Sequence, residues 1–215
     1  MTRKVVQDTL PKNENDRYRF ISLMEPIVTV WSVVVNRLPL VTLQSADPRQ
    51  GQLLEETQRQ LGRVPNLYAA LANGPQALAG YLALRDALSR GVLRAKVREQ
   101  LALLVAQENR CAYCVAAHVM RSAKLGLTDE QVTETRRGGD ADPHVAAILA
   151  VAHTVLHEGG RVSDEQLAAV RAAGVTDAEL AEVVAHVALN VLSNAFNHLA
   201  QPELDFPPVP LAVAG

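Results

Sequence analysis

Both cysteines of this chain lie in one short stretch, residues 111–118, which reads CAYCVAAH and fits the pattern C-x-x-C-x-x-x-H. On a helix, Cys111, Cys114 and His118 would share one face, with the imidazole one turn after the second thiol. An imidazole beside a thiol is the arrangement that activates a sulfur nucleophile. A second thiol one turn earlier is close enough to form and break a disulfide. This stretch therefore predicts thiol redox chemistry.

A carboxylate and a helix start add to the pattern. Glu99 lies twelve positions before Cys111, in a segment of apolar helical periodicity from 93 to 108. It lies away from the centre of the apolar face, where a glutamate is usually a solvated charge. Residues 109–110, Asn-Arg, predict the start of the next helix, with Cys111 in its first turn. Unpaired N–H groups and the helix dipole there favour a thiolate.

A metal site is the main alternative to redox chemistry. The cysteine pair, His118 and Glu99 provide ligand types that zinc accepts. A closed structural site usually draws a second pair of ligands from elsewhere, and the chain has no further cysteine. The other histidines lack ligand spacing with the motif; they are His144, His153, His157, His186 and His198. We therefore expect no bound metal.

Composition limits the classes of function. The 215 residues carry a formal charge of −2, without a basic patch interleaved with aromatics, so nucleic acid is not an expected partner. Two cysteines do not make a disulfide framework, and we expect a reducing cytoplasmic location. The apolar run at 20–35 is interrupted by Glu25-Pro26, and its unbroken part is too short to span a bilayer. A membrane is therefore not expected either.

Helix signals cover the chain from residue 47 onward. Asp47-Pro48 predicts a capped helix to about Leu61, and Asp142-Pro143 predicts another to about His157. Three capping boxes mark further starts, at 128–131, 163–166 and 176–179, the last opening a helix to about Ala200. The prediction is an all-α multi-helix bundle.

Three regions are predicted. Residues 1–40 form an N-terminal extension, residues 41–206 form the helical domain, and residues 207–215 are a proline-rich tail. The apolar run in the extension is either an additional packing helix or strand or an upstream extension of the coding frame. The two halves of the domain weakly echo each other, which suggests an internal helical duplication. The second half has no C-x-x-C and instead carries Asn190, Asn194 and Asn197.

The run Glu99-(x11)-Cys111-x-x-Cys114-x-x-x-His118 resembles the signature of the AhpD-type alkylhydroperoxidases, within the carboxymuconolactone decarboxylase-like superfamily. It is most similar to the uncharacterised peroxidase-related members. The resemblance is strongest over 50–127 and continues more weakly to about 206. It implies an AhpD-like all-α fold and a thiol-dependent peroxidase of antioxidant defence, which reduces alkyl hydroperoxides or hydrogen peroxide.

The resemblance also implies roles for the residues. Cys114 is peroxidatic, Cys111 resolves it as a redox disulfide, and Glu99 and His118 form a proton relay. The helix start alone would activate Cys111 instead; we assign Cys114, because peroxide reduction also needs a proton for the leaving oxygen. The best-studied branch has a histidine just before the second cysteine. Here that position is Tyr113, which is either an auxiliary donor or a structural aromatic.

Partners and competing functions follow from the same resemblance. No cofactor is expected to be bound; a lipoyl or thioredoxin-like protein would supply the dithiol reductant. A homo-oligomer, a trimer or hexamer, is expected. Lactone decarboxylation is the first competing function, although the decarboxylases of the superfamily lack the cysteine pair. A non-catalytic thiol redox sensor, which would form the disulfide without turnover, is the second.

Overall fold

In the computed structural model, residues 36–213 are described, and every regular element among them is an α-helix. The helices described there are α1 (Pro48–Leu61), α2 (Asn66–Leu71), α3 (Pro75–Ser89), α4 (Ala95–Glu108), α5 (Ala112–Lys124), α6 (Asp129–Arg136), α7 (Pro143–Glu158), α8 (Asp164–Ala172) and α9 (Asp177–Ala200). The all-α prediction is confirmed. The apolar run predicted at 20–35 lies outside the described residues.

None of the helices between residues 36 and 213 is long and apolar enough to cross a bilayer. This range belongs to one compact unit of the chain, Val35–Gly215.

Helix α1 begins and ends where its sequence predicts. The Asp47 carboxylate accepts hydrogen bonds from the N–H groups of Arg49 and Gln50, and the Gln50 side chain accepts one from the Asp47 N–H. This reciprocal pairing satisfies N–H groups that a helix start otherwise leaves open. The helix ends at Leu61 because Gly62 adopts a left-handed conformation with φ of 76°.

The later capping boxes form with one difference. Those that open α6 and α9 are complete. At the start of α8 the Ser163 hydroxyl accepts from the Gln166 N–H as predicted, but the Gln166 amide donates to the Thr154 hydroxyl on α7, at 2.8 Å. The Gln166 side chain thus bonds to a neighbouring helix instead of completing the capping box with the Ser163 N–H.

Helix α4 lies at the centre of the packing and contacts α5, α6, α7 and α9. Four of its apolar side chains are fully buried: Leu101, Leu103, Leu104 and Val105. Burial of each such leucine stabilises the fold by about 2 kcal/mol. One apolar cluster joins α1, α2, α3 and α5 and includes both cysteines, and another joins α4, α7 and α9. The helix that carries Glu99 and ends just before Cys111 is therefore held firmly on several sides.

The segment after α9 packs back onto the first cluster. Phe206, Val209 and Leu211 lie partly buried against it. The Leu211 carbonyl accepts a hydrogen bond of 3.0 Å from the Gln107 amide, and the Arg136 guanidinium donates to the Pro210 carbonyl at 2.6 Å. The beginning of the segment predicted as a tail therefore contacts α4 and α6.

Candidate functional site

The two cysteines meet at the turn between α4 and α5. Cys111 is the residue just before α5, one position earlier than its predicted place in the first turn, and Cys114 lies within that first turn. Their sulfurs are 2.7 Å apart and both thiols are free. Arg110 allows the tight turn by taking a left-handed φ of 53°, and the Cys111 N–H donates to the Ala106 carbonyl at 2.9 Å.

Hydrogen bonding within the pair separates the two thiols in acidity. The hydrogen bond between the two sulfurs lowers the pKa of Cys111 to about 7. The Cys114 N–H, His198 and Asn197 act in the same direction, against the effect of burial. The same bond, with burial, raises the pKa of Cys114 above its ordinary value. Both the bond within the pair and the helix dipole therefore favour the thiolate form of Cys111 over that of Cys114.

Helix α9 supports the pair from the opposite end of the sequence. The Asn197 amide donates to the Cys114 sulfur at 3.1 Å. The Asn109 amide donates to the Asn194 side-chain oxygen at 3.0 Å, and His198 Nε2 donates to the Asn109 carbonyl at 2.8 Å. These bonds fix both the turn and one of the sulfurs. Two of the asparagines that mark the second half of the predicted duplication therefore contact the cysteine site of the first.

Glu99 and His118 form a buried pair. The Glu99 carboxylate is only 4% exposed, and its Oε1 lies 2.6 Å from His118 Nδ1, while Arg121 lies 3.3 Å from the other carboxylate oxygen. Burial alone would raise the pKa of Glu99, but His118 and then Arg121 outweigh it and lower that pKa. Glu99 is therefore an ionised carboxylate that orients the imidazole, rather than the solvated charge its sequence context suggested.

The structure thus forms two pairs from the predicted residues, Cys111 with Cys114 and Glu99 with His118. Among the described residues, the hydrogen bond of His118 goes to Glu99 and not to a thiol. Glu99 and His118 line a cavity of about 670 Å³, whereas Cys111 lines a separate cavity of about 210 Å³. The two cavities share no lining residue.

Cationic side chains surround the larger cavity. Arg85, Arg98, Arg121 and Lys124 are among its lining residues, together with the rings of Tyr68 and Tyr81. The site therefore combines positive charge with aromatic surface beside the Glu99–His118 pair.

Tyr113 has contacts that hold helices together. Its hydroxyl accepts a hydrogen bond of 3.1 Å from the buried Leu67 N–H at the start of α2, and its ring packs edge-on against Phe206 at 5.3 Å. Burial raises the pKa of this phenol above its ordinary value. These contacts are those of a structural aromatic, one of the two roles considered for it.

Within residues 36–213, the cysteine pair has no third metal-ligating side chain close enough to complete a metal site. The donors that do come together are Glu108, His153 and His157, at the far end of α4 and on α7. This group was not predicted from the sequence. Its only local signal is the spacing of the two histidines, four positions apart on one helix.

The model of the carboxymuconolactone decarboxylase family matches residues 75–158, which include the cysteine motif. An alkyl hydroperoxide reductase of Mycobacterium tuberculosis is 32% identical over 96 residues, or 44% of this chain. The match spans only 28% of that relative's length.

Solved structures extend the similarity over most of the fold. An uncharacterized peroxidase-related protein from Ralstonia eutropha JMP134, described as an alkylhydroperoxidase AhpD core, has a TM-score of 0.69 and 28% identity, covering 80% of this chain and 93% of its own. A peroxidase-related protein from Silicibacter sp. TM1040 has a TM-score of 0.66 and 21% identity, covering 81% and 92%.

The helical architecture and the matched region support a carboxymuconolactone decarboxylase-like protein. The similarity to the AhpD core structure and to the alkyl hydroperoxide reductase supports an AhpD-type protein within that class. The predicted AhpD-like fold is confirmed.

Proposed function

We propose that the protein is a thiol-dependent peroxidase that reduces an alkyl hydroperoxide or hydrogen peroxide through a disulfide between Cys111 and Cys114. The observation that carries this proposal is the pair of free sulfurs 2.7 Å apart at the start of a helix. A buried, charge-stabilised Glu99–His118 pair on the adjoining helices supports it. Two free thiols that are in contact and differ in pKa are typical of a functional site and are seldom needed for structure alone.

The first step generates the attacking thiolate. The proton of Cys114 passes to Cys111 along the hydrogen bond between their sulfurs, and the Asn197 amide stabilises the charge that forms on Cys114. The Cys114 thiolate attacks the terminal oxygen of ROOH, the O–O bond breaks, and Cys114 becomes a sulfenic acid. Cys111 thus serves first as the base for its neighbour.

The leaving alkoxide requires a proton, and His118 is the proposed source. Glu99 binds His118 Nδ1 and so orients the ring, leaving Nε2 for proton transfer through a bridging water. The products of this step are Cys114–SOH and ROH. The Cys111 sulfur then attacks Cys114–SOH, forming the disulfide and releasing water.

An external dithiol completes the cycle. Its thiolate attacks Cys111 in the disulfide, and Cys114 leaves as a thiolate that the Asn197 amide again stabilises. The second thiol of the donor resolves the mixed disulfide. Attack at Cys111 agrees with its place in the lining of the 210 Å³ cavity. A lipoyl or thioredoxin-like protein is the proposed donor.

The test is steady-state peroxide consumption with a panel of dithiol donors, for the parent protein and two variants. Cys114→Ser is expected to abolish turnover. Cys111→Ser is expected to consume one equivalent of peroxide, more slowly because the base is lost, and to leave a sulfenic acid that a dimedone-type reagent traps. Trapping in Cys114→Ser instead would reverse the two roles. If the parent protein loses two hydrogens in mass on exposure to peroxide but shows no turnover with any of the donors, it is a redox sensor.

A lyase acting on a carboxymuconolactone is a second candidate, because one observation favours it. The larger cavity combines Glu99 and His118 with Arg98 and Arg121, and neither cysteine lines it. Such a site suits an anionic substrate that is deprotonated by an imidazole. Release of carbon dioxide from a carboxymuconolactone, undiminished in the double variant Cys111→Ser/Cys114→Ser, would establish this function.

A further inference from the structure

A group of potential metal ligands lies outside the site described above. His153 and His157 are four residues apart on α7, and their exposed rings pack with centroids 4.3 Å apart. Glu108, the last residue of α4, places its Oε2 3.0 Å from His157 Nε2. One donor atom from each of the three side chains lies within 4.8 Å of the other two.

We infer that Glu108, His153 and His157 form a binding site for a divalent transition-metal ion of the zinc class. Zinc bonds to imidazole nitrogen and carboxylate oxygen at about 2.0–2.2 Å, so a tetrahedral site needs donor atoms about 3.3–3.5 Å apart. The Glu108–His157 pair, at 3.0 Å, is within about 0.5 Å of this spacing. His153 needs only a side-chain rotation, which its exposed position permits.

The donor set selects the class of ion. Two imidazoles and one carboxylate suit zinc and its neighbours in the first transition series, whereas calcium and magnesium require oxygen ligands. Three protein ligands leave a fourth position open for water or for an outside ligand.

An ion pair between Glu108 and His157 accounts for only part of this arrangement. Among the described residues, His153 makes a ring contact with His157 and no hydrogen bond, so its ring nitrogens are available as ligands. A cation shared by both neutral imidazoles and the carboxylate would give every member of the group a partner. It would also link the end of α4 to α7, just ahead of the turn that leads to Cys111.

The test uses untagged protein in which both thiols are removed, Cys111→Ser/Cys114→Ser, because a cysteine pair can also bind zinc. Calorimetric titration with zinc is expected to show one ion per chain. Zinc at about a hundredfold above its Kd is expected to raise the Tm by several degrees. Cobalt is expected to give a tetrahedral visible spectrum without sulfur-to-metal charge transfer.

Two ligand variants and one matched control complete the experiment. His153→Ala and His157→Ala are each expected to lower zinc affinity by at least about tenfold, since even outer-shell partners of a metal are worth that much. His144→Ala is the control; it removes a histidine from the same helix that pairs with Glu179 instead. Absence of zinc binding by the thiol-free protein, or binding that both ligand variants retain in full, would overturn the inference. The result does not depend on peroxidase activity.

Discussion

The side-chain amide of Asn197 donates a hydrogen bond of 3.1 Å to the sulfur of Cys114, although the two residues are 83 positions apart. This bond joins the last helix to the first turn of α5. It places a fixed donor at the sulfur that carries negative charge in two of the proposed steps, when Cys114 attacks and when it leaves.

Asn197→Ala is expected to slow the reaction with peroxide by roughly 10- to 100-fold, because a hydrogen bond to a charged group is worth about 1.5–3 kcal/mol. The measurement is the single-turnover rate of sulfenic acid or disulfide formation under excess peroxide. Ser193→Ala is the matched control, since this buried hydroxyl lies one turn earlier on α9 and donates to the Asn190 carbonyl. Equal rates in the two variants would reduce Asn197 to a packing residue.

Replacing Glu99 by glutamine tests the proton relay. The variant keeps the shape of the side chain but removes the carboxylate charge beside His118, so we expect a slower peroxide step with the fold retained. A circular dichroism spectrum and the Tm establish the fold, and the pH profile of the single-turnover rate reports the relay. Glu134→Gln, which alters an exposed carboxylate paired with Arg137, is the control. A rate and pH profile that match the parent would make Glu99 a bystander.

The acidity of Cys111 depends on its neighbour. In the parent protein, alkylation of Cys111 by iodoacetamide is expected to be half-maximal near its pKa of about 7. Cys114→Ala removes the thiol that donates to Cys111, so the midpoint should move upward toward the ordinary value for a thiol. Mass spectrometry of the modified peptide identifies which sulfur reacts. An unchanged midpoint in Cys114→Ala would assign the acidity to the helix start alone.

His186 gives the fold a dependence on pH. Burial, and then the charge of Arg98, lower the pKa of His186 to about 4 against an opposing effect of Glu182, and its Nε2 has no hydrogen-bond partner among the described residues. Between these two pKa values, His186 is therefore protonated in the unfolded chain and neutral in the folded chain. Above pH 6.5, the ordinary pKa of histidine, His186 does not lower the free energy of unfolding. As the pH falls from 6.5 toward 4, protonation of His186 in the unfolded chain reduces that free energy.

We expect about 1–2 kcal/mol of unfolding free energy to be lost through His186 over this window, after allowance for solvent screening. Urea unfolding of the parent and of His186→Gln at several pH values provides the measurement. The difference between the two curves should shrink or reverse as the pH falls, because glutamine does not titrate. A constant difference would show that His186 does not cause the acid sensitivity.

Local sequence signals were sufficient for the helices and for the cysteine pair. Caps such as Asp47 satisfy open N–H groups with side chains two or three residues away, so the information is contained in a short window. The spacing of Cys111 and Cys114 likewise determines that one helix turn brings them together. These features depend on backbone periodicity alone.

The surroundings of the site depend on contacts between distant segments, which one sequence does not display. Its position on the helix alone gave Glu99 the pattern of a solvated charge, and only the family resemblance paired it with His118. It is buried because His118 and Arg121 on the next helix compensate its charge. The amide of Gln166 likewise bonds to Thr154 on a neighbouring helix instead of to its own helix start. Asn197 was noted only as part of a faint repeat, and its bond to Cys114 needed the packing of α9 against α5.

The separate cavities at Glu99–His118 and at Cys111 have a kinetic consequence under the proposed chemistry. A small oxidant and a bulky protein donor that enter through different openings do not compete for the same space. Raising the concentration of the donor should therefore leave kcat/KM for peroxide unaffected, and excess donor should not inhibit the enzyme. An enzyme built this way would keep working in a cell where its reductant is far more abundant than its oxidant.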